Sequence, residues 1–416
     1  VGQIQLQGAC HDGNGRRSLG LGAVHHAGDA QADAAGLFDH ALGLQGGDAG
    51  GDNVLSNDAL LTRLDGKALQ GHHIVHALGE DGALSGLAGQ LAQVIPVKEQ
   101  MVLDGNFPTV ESPNPEERKT MAKAIELGSR LGADLVLATD PDSDRIGVAL
   151  RNAKGEYVLL NGNQTLSLIM AYQLTRWSEL GRLDGKEFVV KTIVTSQMPN
   201  VMAAHFGVKC YDCLTGFKYI ARIIRNNEGK ATYIGGGEES FGYLAGDFVR
   251  DKDAVSACSL VAEAAAWTRD TMGLTLYEWL QKLYVEFGFF REGLVSVVRK
   301  GMEGAAEIQQ MMVDYRADPP REIAGSPVVK INDFKLLEST DVRTGAKTPI
   351  EEEASNVLQW FAADGTVVSV RPSGTEPKIK FYFGVRAELE SVADFDRVEV
   401  GLDAKIETIK KELKLV

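Results

Sequence analysis

From residue 97 onward, apolar runs of strand length alternate with stretches whose apolar positions recur at helical spacing. DLVLATD, Asp134–Asp140, is a continuous apolar run between two carboxylates and predicts a buried strand. Ahead of it, PNPEERKTMAKAIELGSRLGA opens on helix-entry chemistry. Pro115 suits a first turn, and Glu116 and Glu117 suit the positive end of a helix dipole. Met121, Ile125, Gly128 and Leu131 then follow with helical period. EFVVKTIVTS, Glu187–Ser196, predicts a second buried strand leading into the helix-like MPNVMAAHFG, and KATYIGGGEES predicts a third strand that runs into a glycine turn. Such strand–helix alternation indicates α/β layers. From about Arg291 the pattern is more mixed. VVSVRPSG and KIKFYFGVRA predict a strand pair around a loop, and FDRVEVGLDAKIETIKKELKLV a closing helix.

The first 96 residues carry no comparable pattern. Runs such as GLGAVHHAGDAQADAAG show neither a period of 2 nor one of 3.6. Composition sharpens the contrast: this segment holds seven of the eight histidines, a single aromatic residue (Phe38) and a single lysine (Lys67). It also holds nineteen of the 46 glycines. So little bulky apolar surface cannot offset the entropy of ordering the chain. The segment is expected to be poorly ordered, and it reads as translated from the wrong frame or strand of a GC-rich gene rather than as a histidine metal cluster. At 416 residues the chain is long for one core. The expected division is an atypical Gly/His-rich segment 1–96, then units at 97–155, 156–290 and 291–416.

The net charge of -14 argues against nucleic acid or an anionic membrane surface as partner. It leaves room for a phosphorylated small molecule held by local cations. No run of apolar residues is long enough to span a bilayer, and no basic stretch followed by an apolar run marks a secretory leader. Cys10, Cys210, Cys213 and Cys258 are too few and too irregularly spaced for a disulfide framework. Cys210 and Cys213 form a CxxC, read as two thiols on one strand because no second ligand pair completes a zinc site. A reducing cytoplasm fits.

Three loops then carry chemistry. In ATDPDSDRIGVAL, Asp140, Asp142 and Asp144 follow a buried strand at alternate positions. Three carboxylates so close repel unless a cation sits among them, and hard oxygens suit Mg²⁺. An EF-hand loop would need glycine at the sixth place and glutamate at the twelfth, where Arg145 and Arg151 stand. Arg145 is placed to reach a phosphate that the metal also touches. In GGGEESFGYLAGDFVRDKDAV, three glycines allow a tight turn before Glu238, Glu239 and Ser240, acceptors suited to vicinal sugar hydroxyls. Arg250 and Lys252 follow as cations for a phosphate. In RPSGTEPK, Arg371 offers a fork, Ser373 and Thr375 hydroxyls, and Gly374 frees backbone N–H groups for an anion.

Together and in this order, DGNFPTVESPNPEE, ATDPDSDRIGVAL, LNGNQT, LTGFKYIA, GGGEESFGYL, VRDKDAV and RPSGTEPK resemble the α-D-phosphohexomutase family, in its phosphoglucomutase and phosphomannomutase branch. The resemblance covers Ile95 to Val416. The phosphoglucosamine branch is disfavoured, because Glu239-Ser240-Phe241-Gly242 stands where it carries Gln-Ser-Gly-His. The resemblance implies a multi-domain α/β fold, mixed α/β sheets flanked by helices around a central cleft, with a C-terminal α+β domain. It implies Mg²⁺ on Asp140, Asp142 and Asp144, sugar hydroxyls on Glu238 and Ser240, and the non-reacting phosphate on Arg371, Ser373, Gly374 and Thr375. Lys218 in LTGFK and Lys252 line the cleft, in proton transfer or in phosphate neutralisation. A hexose 1-phosphate and its 6-phosphate interconvert in this family through a phosphoserine enzyme, with hexose 1,6-bisphosphate as intermediate and activator.

One element of that pattern is missing. The family's serine lies in a Thr-x-Ser-His-Asn-Pro-like loop, and none of Ser18, Ser56 and Ser85 is followed by His-Asn-Pro. Turnover by this chain is therefore expected to be impaired, with a non-catalytic sugar-phosphate-binding protein as the alternative. A phosphatase using Asp140 as nucleophile fits less well, since Arg145 follows Asp144 where threonine or valine is wanted.

Overall fold

The computed structural model describes residues 93–416 except 300, 375 and 416, together with the backbone of the short strands Cys10–His11, Arg17–Ser18 and His73–Ala77. The expectations of poor order and mistranslation for residues 1–96, and the side chains of Ser18, Ser56 and Ser85, lie outside the described residues.

The first sheet is built from β1 (His73–Ala77), β2 (Gln93–Pro96), β3 (Leu135–Thr139), β4 (Ile146–Arg151) and β5 (Tyr157–Leu159), in the order β2-β1-β3-β4-β5. β1 lies parallel to both β2 and β3. This sheet thus recruits two strands from ahead of residue 97, where the composition changes, and His73–Ala77 finds its pairing partners in tertiary space. β3 is buried throughout, as its unbroken apolar run predicts. Helix α1 (Ala122–Leu131) covers the sheet and ends on Gly132, whose φ of 67° is the left-handed geometry glycine adopts most readily. It begins at Ala122, not at Pro115. Asn114 caps the Glu116 N–H at 3.1 Å, and Pro115 packs where a Cβ on Gly147 would meet it at 2.8 Å, so residues 115–121 form turns held against the sheet.

The second sheet has the order β9-β8-β6-β7, from β6 (Glu187–Thr192), β7 (Lys209–Cys213), β8 (Thr232–Gly237) and β9 (Tyr243–Ala245). Its first three strands by sequence run parallel, and β9 returns antiparallel. Around it stand α2 (Gly162–Glu179), α3 (Met198–His205), α4 (Phe217–Asn227), α5 (Ala254–Met272) and α6 (Leu276–Phe287). α2 opens with a capping box between Asn161 and Gln164. The first turn of α5 is capped by the Asp253 side chain. Cys210 and Cys213 are free thiols of β7, and Cys258 is a free thiol of α5.

The C-terminal sheet is antiparallel. Its strands β10 (Phe289–Val298), β11 (Ser326–Asp333), β12 (Glu338–Asp341), β13 (Lys347–Pro349), β14 (Leu358–Ala362), β15 (Val367–Pro372) and β16 (Lys378–Ala387) run in the order β10-β16-β15-β14-β11-β12-β13. Helices α7 (Gly301–Ala317) and α8 (Phe395–Glu412) pack on it. It joins the second unit through an apolar cluster of Ile193, Val194, Leu214, Phe334, Val357 and Tyr382. Gln359 Nε2 reinforces the join by donating to the Ile193 carbonyl at 2.8 Å. The fold is thus a multi-domain α/β architecture with mixed sheets flanked by helices. Among the described residues no helix is long and apolar enough to cross a membrane.

Candidate functional site

The three loops singled out in the sequence all leave the ends of strands. Between β3 and β4 the chain turns through Ser143, at a left-handed φ of 54°. This turn gathers one carboxylate oxygen each from Asp140, Asp142 and Asp144 to within 4.8 Å of one another. Asp140 is buried, and its Oδ1 accepts the N–H groups of Asp144 at 3.0 Å and Arg145 at 2.9 Å. Burial pushes its carboxyl up to about 6, against the pull of the Arg145 N–H, and the charges of Asp144 and Asp142 push the same way. Asp144 Oδ1 is buried and receives no hydrogen bond, the nearest cation being Arg145 Nε at 3.5 Å.

These features fit a divalent cation. Octahedral Mg²⁺ with oxygens at about 2.1 Å sets its ligands about 3 to 4.2 Å apart. A triad already within 4.8 Å needs only small side-chain movement, and the unpaired Asp144 oxygen would gain a partner.

The sugar loop between β8 and β9 lies directly against the metal loop. The Ile146 N–H donates to the Phe241 carbonyl at 3.0 Å, and the Ala254 N–H to the Ser143 carbonyl at 2.9 Å. Glu238 is buried and accepts the Gly216 N–H at 2.8 Å. Burial raises its carboxyl, opposed by that N–H and by the charges of Lys252 and Arg371. Ser240 is half-buried beside it. Lys252 Nζ lies 2.7 Å from Asp144 Oδ2. Burial disfavours its ammonium, but the hydrogen bond and charge of Asp144, with Asp251 and Glu238, outweigh this and raise its pKa. Lys252 therefore bridges the metal loop and the sugar loop.

The remaining basic residues divide. Arg145 reaches Glu116 Oε1 at 3.4 Å and stands 3.5 Å from Asp140 Oδ2, so its guanidinium is shared among carboxylates. Lys218 is exposed on the first turn of α4, 4.8 Å over the Tyr219 ring and two residues from the Gly216 that Glu238 holds. Arg250 pairs with Glu228, the residue that ends α4. Sequence spacing near Lys252 could not reveal this, because it depends on where α4 ends.

The third loop joins β15 to β16. Its Ser373 N–H donates to the Lys378 carbonyl at 2.8 Å, and Ser373 Oγ accepts the Glu376 N–H at 3.3 Å. Gly374 is exposed, with nothing within 4 Å of where a Cβ would stand, and Thr375 lies outside the described residues. Arg371 sits directly opposite Lys380 in register. Like charges facing one another across an antiparallel pair are unfavourable, and an anion between them relieves the repulsion. Sequence reasoning missed Lys380, which lies inside a strand pattern, and Thr192 and Thr195, whose hydroxyls face the sugar loop.

The chain is similar to known proteins over much of its length. Descriptions of phosphoglucomutase/phosphomannomutase α/β/α domain II match residues 73–155, those of domain III residues 161–287, and those of the C-terminal domain residues 329–400. Phosphoglucomutase of Staphylococcus aureus strain MRSA252 is 36% identical over 310 residues, 74% of this chain and 54% of the relative. Its counterpart in strain USA300 is 35% identical over the same coverage. The chain spans about half the length of the curated relatives it matches. The fold is shared with a phosphoglucomutase/phosphomannomutase family protein of Burkholderia thailandensis, with a TM-score of 0.53 at 17% identity, over 85% of this chain and 63% of that one. It is shared too with the Paramecium phosphoglucomutase parafusin, with a TM-score of 0.52 at 14% identity, over 91% and 62%.

Proposed function

The chain belongs to the α-D-phosphohexomutase family, in its phosphoglucomutase/phosphomannomutase branch, and on that premise we propose that it binds a hexose phosphate between the three loops. The proposed chemistry is the interconversion of hexose 1-phosphate and hexose 6-phosphate by way of a phosphoserine and a hexose 1,6-bisphosphate. The observation that carries the reading is continuity. Asp144 holds Lys252, and the charges of Lys252 and Arg371 both bear on Glu238, so metal loop, sugar loop and phosphate loop share one polar surface.

In this reading Asp140, Asp142 and Asp144 hold Mg²⁺, which when bound neutralises charge on a phosphoryl group in transit. Glu238 and Ser240 accept hydrogen bonds from vicinal sugar hydroxyls. Arg371, Ser373, Gly374 and Thr375 hold the phosphate that does not react, with Lys380 opposite. Lys252 and Arg145 supply positive charge at the metal side, and Lys218 stands at the rim. Arg250, engaged by Glu228, is left out of the site. A sugar phosphate in a reducing cytoplasm suits the free thiols of Cys210, Cys213 and Cys258.

No serine among residues 1–416 is followed by His-Asn-Pro, so these residues alone are proposed to bind and orient the sugar phosphate with little turnover. This favours, as a second reading, a sugar-phosphate-binding protein without mutase activity. The test supplies the full chain with Mg²⁺, glucose 1-phosphate and glucose 1,6-bisphosphate and follows glucose 6-phosphate, with calorimetry for binding. Binding without turnover is the expected result. Robust turnover refutes the impairment, and phosphate labelling would then map the nucleophile. Absence of both binding and turnover overturns the functional reading.

A further inference from the structure

Two adjacent carboxylates leave β8 in opposite directions. Glu238 faces Gly216. Glu239 turns back under the loop, where its Oε2 accepts the Thr192 hydroxyl at 3.1 Å and lies 3.5 Å from Thr195 Oγ1. Its own N–H donates to Thr195 Oγ1 at 3.2 Å. Both threonines are buried and share a 2.7 Å hydrogen bond, so this anchor is itself held. The main chain is confined as well, since a Cβ on Gly162 would lie 1.9 Å from the Glu239 carbonyl oxygen. Glu238 directly follows β8, and Glu239 and Ser240 lie in the turn beyond it. A main chain held at Glu239 by Thr195 and by the close approach of Gly162 restricts the directions its two neighbours can take.

Glu239 is also within electrostatic reach of the C-terminal sheet. Arg371 pairs with Lys380, and Tyr382 lies two residues further along β16, so the three side chains share one face. Glu239 and Lys380 act on one another electrostatically, and Tyr382 feels both Glu239 and Arg371. We propose that Glu239 is a positioning residue: anchored by Thr192 and Thr195, it sets the direction of Glu238 and Ser240 and ties them to the Arg371–Lys380 pair. The inference rests on the hexose-phosphate reading above. A ligand that spans a hydroxyl site and a phosphate site needs the two at a fixed separation, whereas a bare phosphate does not.

Burial pushes the Glu239 carboxyl up to about 7, helped by the charge of Glu238 and opposed by its own N–H, Thr192 and Lys380. The tie to Lys380 and Arg371 is thus strongest above that pH. The experiment titrates glucose 1-phosphate and, separately, inorganic phosphate into the full chain with Mg²⁺, and repeats this for Glu239→Gln and Thr195→Val. Glu239→Gln keeps the shape and removes the charge. It is expected to weaken glucose 1-phosphate on the order of tenfold, with inorganic phosphate changed by less than about twofold. Ligand ionisation is the same for every protein tested, so dividing the unaltered chain's ratio of the two affinities by that of Glu239→Gln isolates the protein. That quotient should rise with pH through about 7. Thr195→Val should show the same selective loss. A merely structural role would lower the thermal midpoint and leave the ratio and its pH profile alone. An unchanged ratio in both variants, with normal binding by the unaltered chain, overturns this inference alone. Failure of the unaltered chain to bind either ligand overturns the functional reading and this inference with it.

Discussion

Replacing Gly162 by alanine measures how tightly the sugar loop is seated. Gly162 is the first residue of α2, directly after the Asn161 cap. In an unobstructed helix, Gly→Ala stabilises by about 0.5–1 kcal/mol. Here the new Cβ would stand 1.9 Å from the Glu239 carbonyl oxygen, and 2.7 Å from both the Glu239 carbonyl carbon and the Phe241 nitrogen. All three obstacles are backbone, so no rotamer change removes them. Overpacking of this kind costs about 1–3 kcal/mol, and an obstacle that cannot rotate away belongs at the upper end. The steric cost therefore exceeds the helical gain, leaving a net loss of about 2 kcal/mol. For a unit of this size, a loss of 1 kcal/mol lowers the midpoint by about 2–4 °C, so calorimetric scanning should record a fall of about 4–8 °C. Glucose 1-phosphate should bind more weakly in the same variant, because the displaced segment carries Glu238 and Ser240. A midpoint equal to or above that of the unaltered chain would refute the reasoning, since it would mean that the loop moves aside freely.

Three further outcomes are expected. Asp142→Asn, at an exposed position, should weaken Mg²⁺ on the order of tenfold by removing one of three clustered anions, and equal calorimetric affinities would end the assignment of that loop. Arg371→Ala should cost glucose 1-phosphate about 1.5–3 kcal/mol of affinity, the worth of a charged hydrogen bond, while an equal loss for free glucose would contradict a phosphate role. Burial pushes the Glu263 carboxyl up to about 7, against the hydrogen bond that Tyr172 donates to it at 2.6 Å, so the folded state holds its proton more firmly than the unfolded chain does. The stability this gives is complete below about pH 4.5 and is lost as pH rises through about 7. Glu263→Gln should therefore gain in relative thermal midpoint between acid and mildly alkaline pH, and a parallel pH dependence in both proteins would show that the group does not titrate in this range.

The sequence revealed those parts of the site whose chemistry is local. Asp140, Asp142 and Asp144 stand at alternate positions after an apolar run, and repulsion among them is legible without any tertiary knowledge. The strand pair around Arg371 and the closing helix were legible for the same reason, since period and turn residues lie together. What failed depended on distant partners. Pro115, Glu116 and Glu117 carry helix-entry chemistry, yet Asn114 and the contact near Gly147 hold them in turns, and α1 starts at Ala122. His73–Ala77 becomes a strand because β3 lies beside it, while its surroundings in sequence give no period. The ion pair of Arg250 with Glu228 likewise joins residues far apart in sequence, and spacing near Lys252 gives no sign of it. Glu238 and Glu239 are chemically alike, and only the positions of Gly216, Thr192 and Thr195 separate them.

The contacts between the loops also differ in kind, and the difference bears on how such a site works. Metal loop and sugar loop are joined by main-chain hydrogen bonds, Ile146 to Phe241 and Ala254 to Ser143, and by the buried side of Lys252 against Asp144. Main-chain bonds cannot be released by a rotamer change, so these two loops keep their relation unless strands or helices shift. The phosphate loop is attached otherwise. The described contacts of its sheet with the second unit run through side chains, among them the Ile193 and Tyr382 cluster, the stack of Tyr284 on Phe289, Gln359 on the Ile193 carbonyl, and Arg222 on Glu352 and Glu353 at 2.6 and 2.7 Å. Of the two ion pairs, the exposed one to Glu353 contributes little, about 0–1 kcal/mol. The separation between Glu238 and Arg371 is therefore the softer coordinate of the site. Glu239, half-buried and anchored on Thr192, is the residue we infer to have leverage on that separation.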